Sequence, residues 1–263
     1  MRCPRCNASI IEGGKFCGNC GFSIAAPPMN AIPNQTPPQW QEKATGRKKR
    51  NLLIPLLCVG LVLGVFFFTQ TRETLTVGEE VQFGGYTWRV LDVQGGRALL
   101  LSEYVINHRA YHHTWEDVTW EQSSLRHWLN NEFFNNNFNT SDRARIAQTY
   151  VVNNNNPWFG TPGGNNTHDR IFLLSLEEVV RYFGDSGQLA NRPSQDAWGI
   201  SDGFNVARIA RCANGRTSWW WLRSPGFGGY IAADVGLVGH VLVSGGGVDD
   251  DRGGVRPALW LYL

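Results

Sequence analysis

Four of the six cysteines fall in the first 20 positions, and their spacing gives the clearest chemistry in the chain. Cys3-Pro4-Arg5-Cys6 and Cys17-Gly18-Asn19-Cys20 are two C-x-x-C pairs separated by ten residues. Each such turn aims two thiolates at one point, and two turns complete the tetrahedral sulfur set that zinc takes. Gly21 follows the second pair and relieves its tight turn. Two disulfides or a redox dithiol would use the same residues. With no signal peptide ahead of them, a structural zinc on Cys3, Cys6, Cys17 and Cys20 is the expected use. So short a segment cannot build its own core, and metal binding would supply its folding energy.

Other polar groups carry weaker signals. Asp249-Asp250-Asp251 has the hard oxygen ligands of a calcium site, or is a solvated acidic loop. His108, His112 and His113 match no metal-site spacing and suit a loop or an interface. No Ser-His-Asp order, phosphate loop or carboxylate pair stands out. No catalytic residue is therefore assigned, and the chain is not expected to be an enzyme. Trp219, Trp220 and Trp221 suit either a sheet core or a sugar-stacking platform, with the core favoured.

The elements that must position these groups separate by composition. Residues 23–50 form a linker with Pro27, Pro28, Pro33, Pro37 and Pro38, ending in Arg47-Lys48-Lys49-Arg50. Leu52 to Phe68 then run without a charge. As a helix these would span about 26 Å at ~1.5 Å per residue, so residues 51–70 are expected to cross a membrane. Pro55 lies in the first turn, where it costs least. A buried core helix would show a polar face, and a signal peptide would not normally follow a zinc site and a Pro-rich linker. The basic cluster places the N-terminus in the cytoplasm and residues 71–263 outside the cell membrane. Cysteine usage agrees: the outer part has only Cys212, which cannot form an internal disulfide, and Cys58 in the span is expected to be packing alone. Residues 1–22 resemble the small zinc ribbons at the N-termini of many bacterial membrane proteins. Such ribbons bind nucleic acid or protein, but Arg2, Arg5 and Lys15 are too few to argue for nucleic acid.

The formal charge of +2 hides two parts of opposite sign. From Arg72 onward, 16 Arg and no Lys face 20 Asp plus Glu, a balance of −4. The preceding segment holds eight basic and two acidic residues, a balance of +6. An acidic outer domain argues against binding to nucleic acid or anionic lipid.

That domain is expected to be α+β. Gly85–Val93 and Ala98–Ser102 predict a hairpin around Gln94-Gly95-Gly96. Thr119-Trp120-Glu121-Gln122 predicts a capping box opening a helix with an apolar face of Leu125, Trp128, Leu129 and Phe133. Ser175-Leu176-Glu177-Glu178 predicts another, carrying Val179, Val180 and Phe183. The Asn-rich stretches 135–137, 153–156 and 163–166 are expected to be surface loops. Toward the C-terminus Val235, Val241, Val248 and Val255 recur at steps of 6, 7 and 7 among glycines, predicting short extended pieces joined by turns. The last run, Ala258 to Leu263, is expected to pair in a sheet.

The strings TWEQSSLRHWLNNEF (119–133), DRIFLLSLEEVVRYF (169–183), WWLRSPG (220–226) and GVRPALWL (254–261) together look like a bacterial domain family of uncertain function. That family is similar to the variable proteins of diversity-generating retroelements. The resemblance implies a C-type-lectin-like outer domain of the formylglycine-generating-enzyme type, with twisted antiparallel sheets and two helices. It implies that Thr87–Val93 lies beside Pro257–Leu263. It also implies a conserved frame around positions that an error-prone reverse transcriptase rewrites. Carried onto this sequence, the frame is Trp220, Leu222, Arg223, Ser224, Pro225, Gly226, Ala232, Ala233, Val235, Gly239, Val241, Gly245, Val248, Gly254, Val255, Arg256 and Pro257. The candidate variable, ligand-binding positions within 218–263 are Phe227, Gly228, Gly229, Tyr230, Ile231, Asp234, Leu237, Val238, His240, Leu242, Val243, Asp249, Asp250, Asp251 and Arg252. Formylglycine-generating enzymes use paired cysteines, and the lone Cys212 departs from that pattern. The expected function is surface-displayed recognition of an external protein or glycan. A sensor or envelope protein with a fixed partner, and an enzyme with an unrecognised site, are the alternatives.

Overall fold

The computed structural model describes residues 74–263, and the zinc knuckles, the Pro-rich linker and the candidate membrane span lie outside the described residues. Among the described residues no helix is long and apolar enough to cross a membrane. This part of the chain is α+β, rich in sheet, with few and short helices.

In chain order the strands are β1 (Glu80–Phe83), β2 (Tyr86–Gln94), β3 (Arg97–Ser102), β4 (Tyr104–Val105), β5 (Asn107–His108), β6 (Thr149–Val151), β7 (Thr167–Asp169), β8 (Ala210–Cys212), β9 (Thr217–Ser218), β10 (Trp220–Pro225), β11 (Ile231–Val235), β12 (Val241–Gly247), β13 (Gly254–Val255) and β14 (Ala258–Tyr262). The helices are α1 (Ser124–Trp128), α2 (Phe134–Asn137), α3 (Thr140–Arg145), α4 (Leu176–Phe183) and α5 (Asn205–Arg208).

The first sheet has the order β1-β2-β3-β14. The expected hairpin is present: Gln94 pairs with Arg97 across Gly95 and Gly96, at φ 57° and 72°. Two consecutive left-handed residues match the right-handed strand twist, which is why glycine occupies both places. The predicted neighbour of the last strand is different. β14 lies against β3, with Ala258 opposite Leu101 and Tyr262 opposite Arg97. Thr87–Val93 does not pair with it, because β2 has no free edge: β3 takes one side, and β1, turning back from Phe83 to Tyr86, takes the other. The outer edge of β3 is what remains for the terminal strand.

The second sheet has the order β12-β11-β10-β13-β5. Every residue of β10 and of β11 is buried, as apolar residues on both faces of Trp220–Leu222 require. Trp220 and Trp221 are fully buried and belong to the core, not to a sugar-stacking platform. The four periodic valines, 235, 241, 248 and 255, are likewise fully buried.

The two predicted helix starts have different outcomes. Ser175 and Glu178 form the capping box that opens α4, and Val179 and Val180 are buried beneath it. Thr119 caps nothing. Trp120–Gln122 is a single 3-10 turn, and Ser123 accepts from Arg126 N to start α1 instead. Ser123 is fully buried at the break between the two turns, so its hydroxyl is the oxygen in reach of the free N–H groups. A π-helical turn, Leu129–Phe133, joins α1 to α2, and Leu125, Leu129 and Phe133 form the expected buried face.

Candidate functional site

The frame is built from buried groups that hydrogen-bond to backbone, although Arg223 Nε and Arg256 Nη1 are buried without a partner. Arg223, on β10, donates to Leu173 O (2.7 Å) and Val152 O (3.1 Å) and pairs with Glu178 of α4. Its own carbonyl accepts from Tyr111 Oη at 2.9 Å. Arg256 donates to Ser102 O (2.8 Å) and lies over the Trp220 ring, 5.1 Å from its centroid. Burial pulls the Arg256 pKa down to about 10, so it stays cationic at neutral pH. Gly239 and Gly245 sit at φ 81° and 76°, and a Cβ there would strike the carbonyl oxygens of Asn205 and Ala232. These positions accept glycine for two independent reasons. The sequence therefore cannot change here without moving backbone.

On this frame stands an aromatic surface. Phe227 and Tyr230, in the turn between β10 and β11, meet edge to face at 6.0 Å. Trp115 packs on Tyr230 at 4.9 Å. Phe159 and Trp198 meet Phe227 at 6.3 Å and 6.2 Å. The five rings come from four separate segments, and Trp115, Trp198 and Phe227 remain 56%, 59% and 43% exposed. A contiguous aromatic patch that is partly exposed to solvent is the ordinary mark of an interaction site. Three clefts of about 420, 460 and 370 Å³ are lined by other residues.

Small residues make the seats. The Trp115 ring lies on Gly247, where a Cβ would come 2.5 Å from Cζ3. The Asp117 carboxyl lies on Gly229, 2.7 Å from where a Cβ would stand, and Asp249 Oδ1 is 3.3 Å from the same point on Gly247. Among the described residues neither Asp117 nor Asp249 has a hydrogen-bond or ion-pair partner. At the other end, the Arg192 guanidinium covers Phe159 at 4.6 Å and Trp158 at 5.3 Å.

The candidate variable positions separate by place. Phe227, Gly228, Gly229, Tyr230 and Asp249 lie on or beside the aromatic surface. Leu237 and Val238 are half or more exposed, but with His240 they occupy the turn at the opposite end of β11. Leu242 is half-buried on β12. Asp250 and Arg252 pair with each other at 2.6 Å beside an exposed Asp251. Ile231, Asp234 and Val243 are buried and unavailable to a ligand. Asp234 is an internal carboxyl without a hydrogen-bond partner, and burial, with Asp250's charge added, pushes its pKa up to about 8.

The remaining candidates are occupied locally. His112 Nε2 lies 2.9 Å from a Glu116 carboxylate oxygen, and its Nδ1 accepts from Ser124 N at 3.2 Å. Hydrogen bonds from Thr114 and His112 hold Glu116 below the usual carboxylate range. His113 stacks on His112, and His108 contacts Ser218 Oγ at 3.0 Å. Among the described residues no three His, Cys, Asp or Glu side chains gather as a metal site. Cys212 is a free, half-buried thiol.

Sequence reasoning did not select Trp115, Phe159, Trp198, Arg192 or Asn156. The 153–156 stretch was expected at the surface, yet Asn153 and Asn156 are buried. Asn156 Nδ2 donates to Pro225 O and Val243 O, both at 2.8 Å, while Oδ1 accepts Trp158 N and Phe159 N. One amide thus ties the loop that carries Phe159 to β10 and β12. The available signal was isolated tryptophans, Trp115 within HHTWED at 112–117 and Trp198 between Ala197 and Gly199.

Residues 95–263 match the family described as a domain of unknown function, DUF6273. The chain belongs to this family. The DUF6273 match contains all five rings of the surface and all the frame residues. It leaves out β1 and the whole of β2, the hairpin's first arm, which complete the first sheet. No curated protein and no solved structure matches the chain.

Proposed function

We propose that this chain is a membrane-anchored recognition protein, holding an outer binding domain on a single span behind a cytoplasmic zinc ribbon. Cys3, Cys6, Cys17 and Cys20 hold the zinc and residues 51–70 form the span. The observation that carries the recognition role is the five-ring surface, with Trp115, Trp198 and Phe227 exposed, on a frame that holds buried arginines. Aromatic side chains on a rigid frame supply large contact area with little entropy to lose. The outer domain is C-type-lectin-like in this proposal. Support comes from the terminal strand β14 closing back on the first sheet and from recognition loops that leave a separate, fully buried strand pair.

Diversification by a retroelement would act on the exposed part of the candidate set alone. A fixed partner is the second reading, and one observation favours it: Trp115, Phe159 and Trp198 lie outside residues 218–263. Comparing sister genes separates the two. Diversification predicts adenine-directed differences confined to codons for exposed positions such as 227, 230, 237 and 249, with 231, 234 and 243 constant. A near-copy of the segment beside a reverse-transcriptase gene would accompany them. Differences spread evenly along the domain would leave the fixed-partner reading.

A further inference from the structure

The aromatic surface is asymmetric in charge, and that asymmetry carries information about its partner. At the Phe159 end a cation is built in. Arg192 stacks over Phe159 at 4.6 Å while its Nε and Nη2 fork onto Ala197 O at 3.2 Å and 2.7 Å. At the Trp115 end the same ingredients lack the cation. Trp115 and Tyr230 meet at 4.9 Å with an angle of 43° between their planes, leaving Trp115 more than half exposed. Asp117 and Asp249 stand beside the pair on the bare faces of Gly229 and Gly247. Eleven arginine-over-ring contacts occur among the described residues, and none covers Trp115, Tyr230, Phe227 or Trp198.

The geometry points to an arginine side chain from a basic polypeptide partner, seated on the Trp115–Tyr230 pair between the carboxylates of Asp117 and Asp249. A planar guanidinium stacks on an indole and forks to a carboxylate at once, which a compact ammonium does less well. Two unpaired carboxylates beside exposed rings complement a cation and would repel an anionic ligand. The edge-to-face arrangement of Phe227 with Tyr230 and Trp198 gives a knobbed surface rather than the flat platform on which a sugar ring stacks. This inference rests on the recognition role proposed above and names its partner class.

The test uses the full chain in lipid nanodiscs and two immobilised nonapeptides, identical except for a central arginine or its neutral isostere citrulline. The arginine peptide should bind about tenfold more tightly, the sum of one exposed cation–π contact and one surface ion pair. Trp115→Ala should cut that difference to about threefold by removing the ring contact, and the isosteric pair Asp117→Asn with Asp249→Asn, at two exposed side chains, should cut it similarly by removing the ion pair. Circular dichroism would confirm that each variant is folded. Equal binding of the two peptides, including none by either, would overturn the inference, as would a difference that stays undiminished in Trp115→Ala. A panel of neutral oligosaccharides gives the separate arm. Oligosaccharide binding lost in Trp115→Ala, with no arginine preference, would keep the recognition role and reject the cationic partner.

Discussion

Asp234 shows how a single residue of the candidate set is constrained by its surroundings. It lies on β11 opposite Trp221 and Leu242, with Oδ2 near the bare face of Gly246 and Asp250 as the neighbouring charge. Its pKa near 8 stands above the ordinary carboxyl value of about 4, so the folded state holds a proton that the unfolded state releases. Below about pH 4 both states are protonated and the site costs nothing in this respect. Stability then falls as pH rises from about 4 to 8 and levels off above. Asp234→Asn should therefore match the parent near pH 4, apart from a constant offset, and gain on it with rising pH. The gain has an upper bound of about 5 kcal/mol above pH 8. Denaturant unfolding across that range measures it, and a difference independent of pH would contradict the placement. The sequence marked Asp234 only as a candidate contact residue, because period alone does not distinguish a polar residue facing a ligand from one trapped between strands.

At the scale of elements, the hairpin, the capping box of α4 and the valine-spaced strands were legible, because each is decided by neighbours in sequence. Gly95 and Gly96 set the turn, and Ser175 with Glu178 sets the helix start. The position of β14 was not legible, since it depends on which edge β1 leaves free. Asn156 was missed for a related reason: its partners Pro225 and Val243 are 69 and 87 residues away. Replacing it with Ala would leave the carbonyls of Pro225 and Val243 and two loop N–H groups without this partner. The expected loss is about 2–4 kcal/mol, with Phe159 released from Phe227. Chemical denaturation should record the first effect and near-UV circular dichroism the second. Unchanged stability would mean that the loop is held by other contacts.

For the whole molecule, the buried C-terminal motifs and the exposed rings divide the labour between holding and contacting. WWLRSPG and GVRPALWL are buried almost throughout. Their arginines are spent on internal carbonyls, ring faces and, for Arg223, a carboxylate. Motif spelling pointed to a frame, while the contact surface needed three dimensions, since its five rings come from four separate segments. The net acidity of residues 72–263 suits the unpaired carboxylates at the Trp115 end. The central claim is that contact with a partner occurs through these rings. The direct measurement places a photo-crosslinking phenylalanine analogue, one position at a time, at Phe227, Trp115 and Val206 of the full chain on living cells. Val206 is 80% exposed but stands apart from the aromatic contacts, on α5. The account predicts discrete crosslinked species from positions 227 and 115 and none from 206. Crosslinks from 206 alone, or the same products from all three, would contradict it.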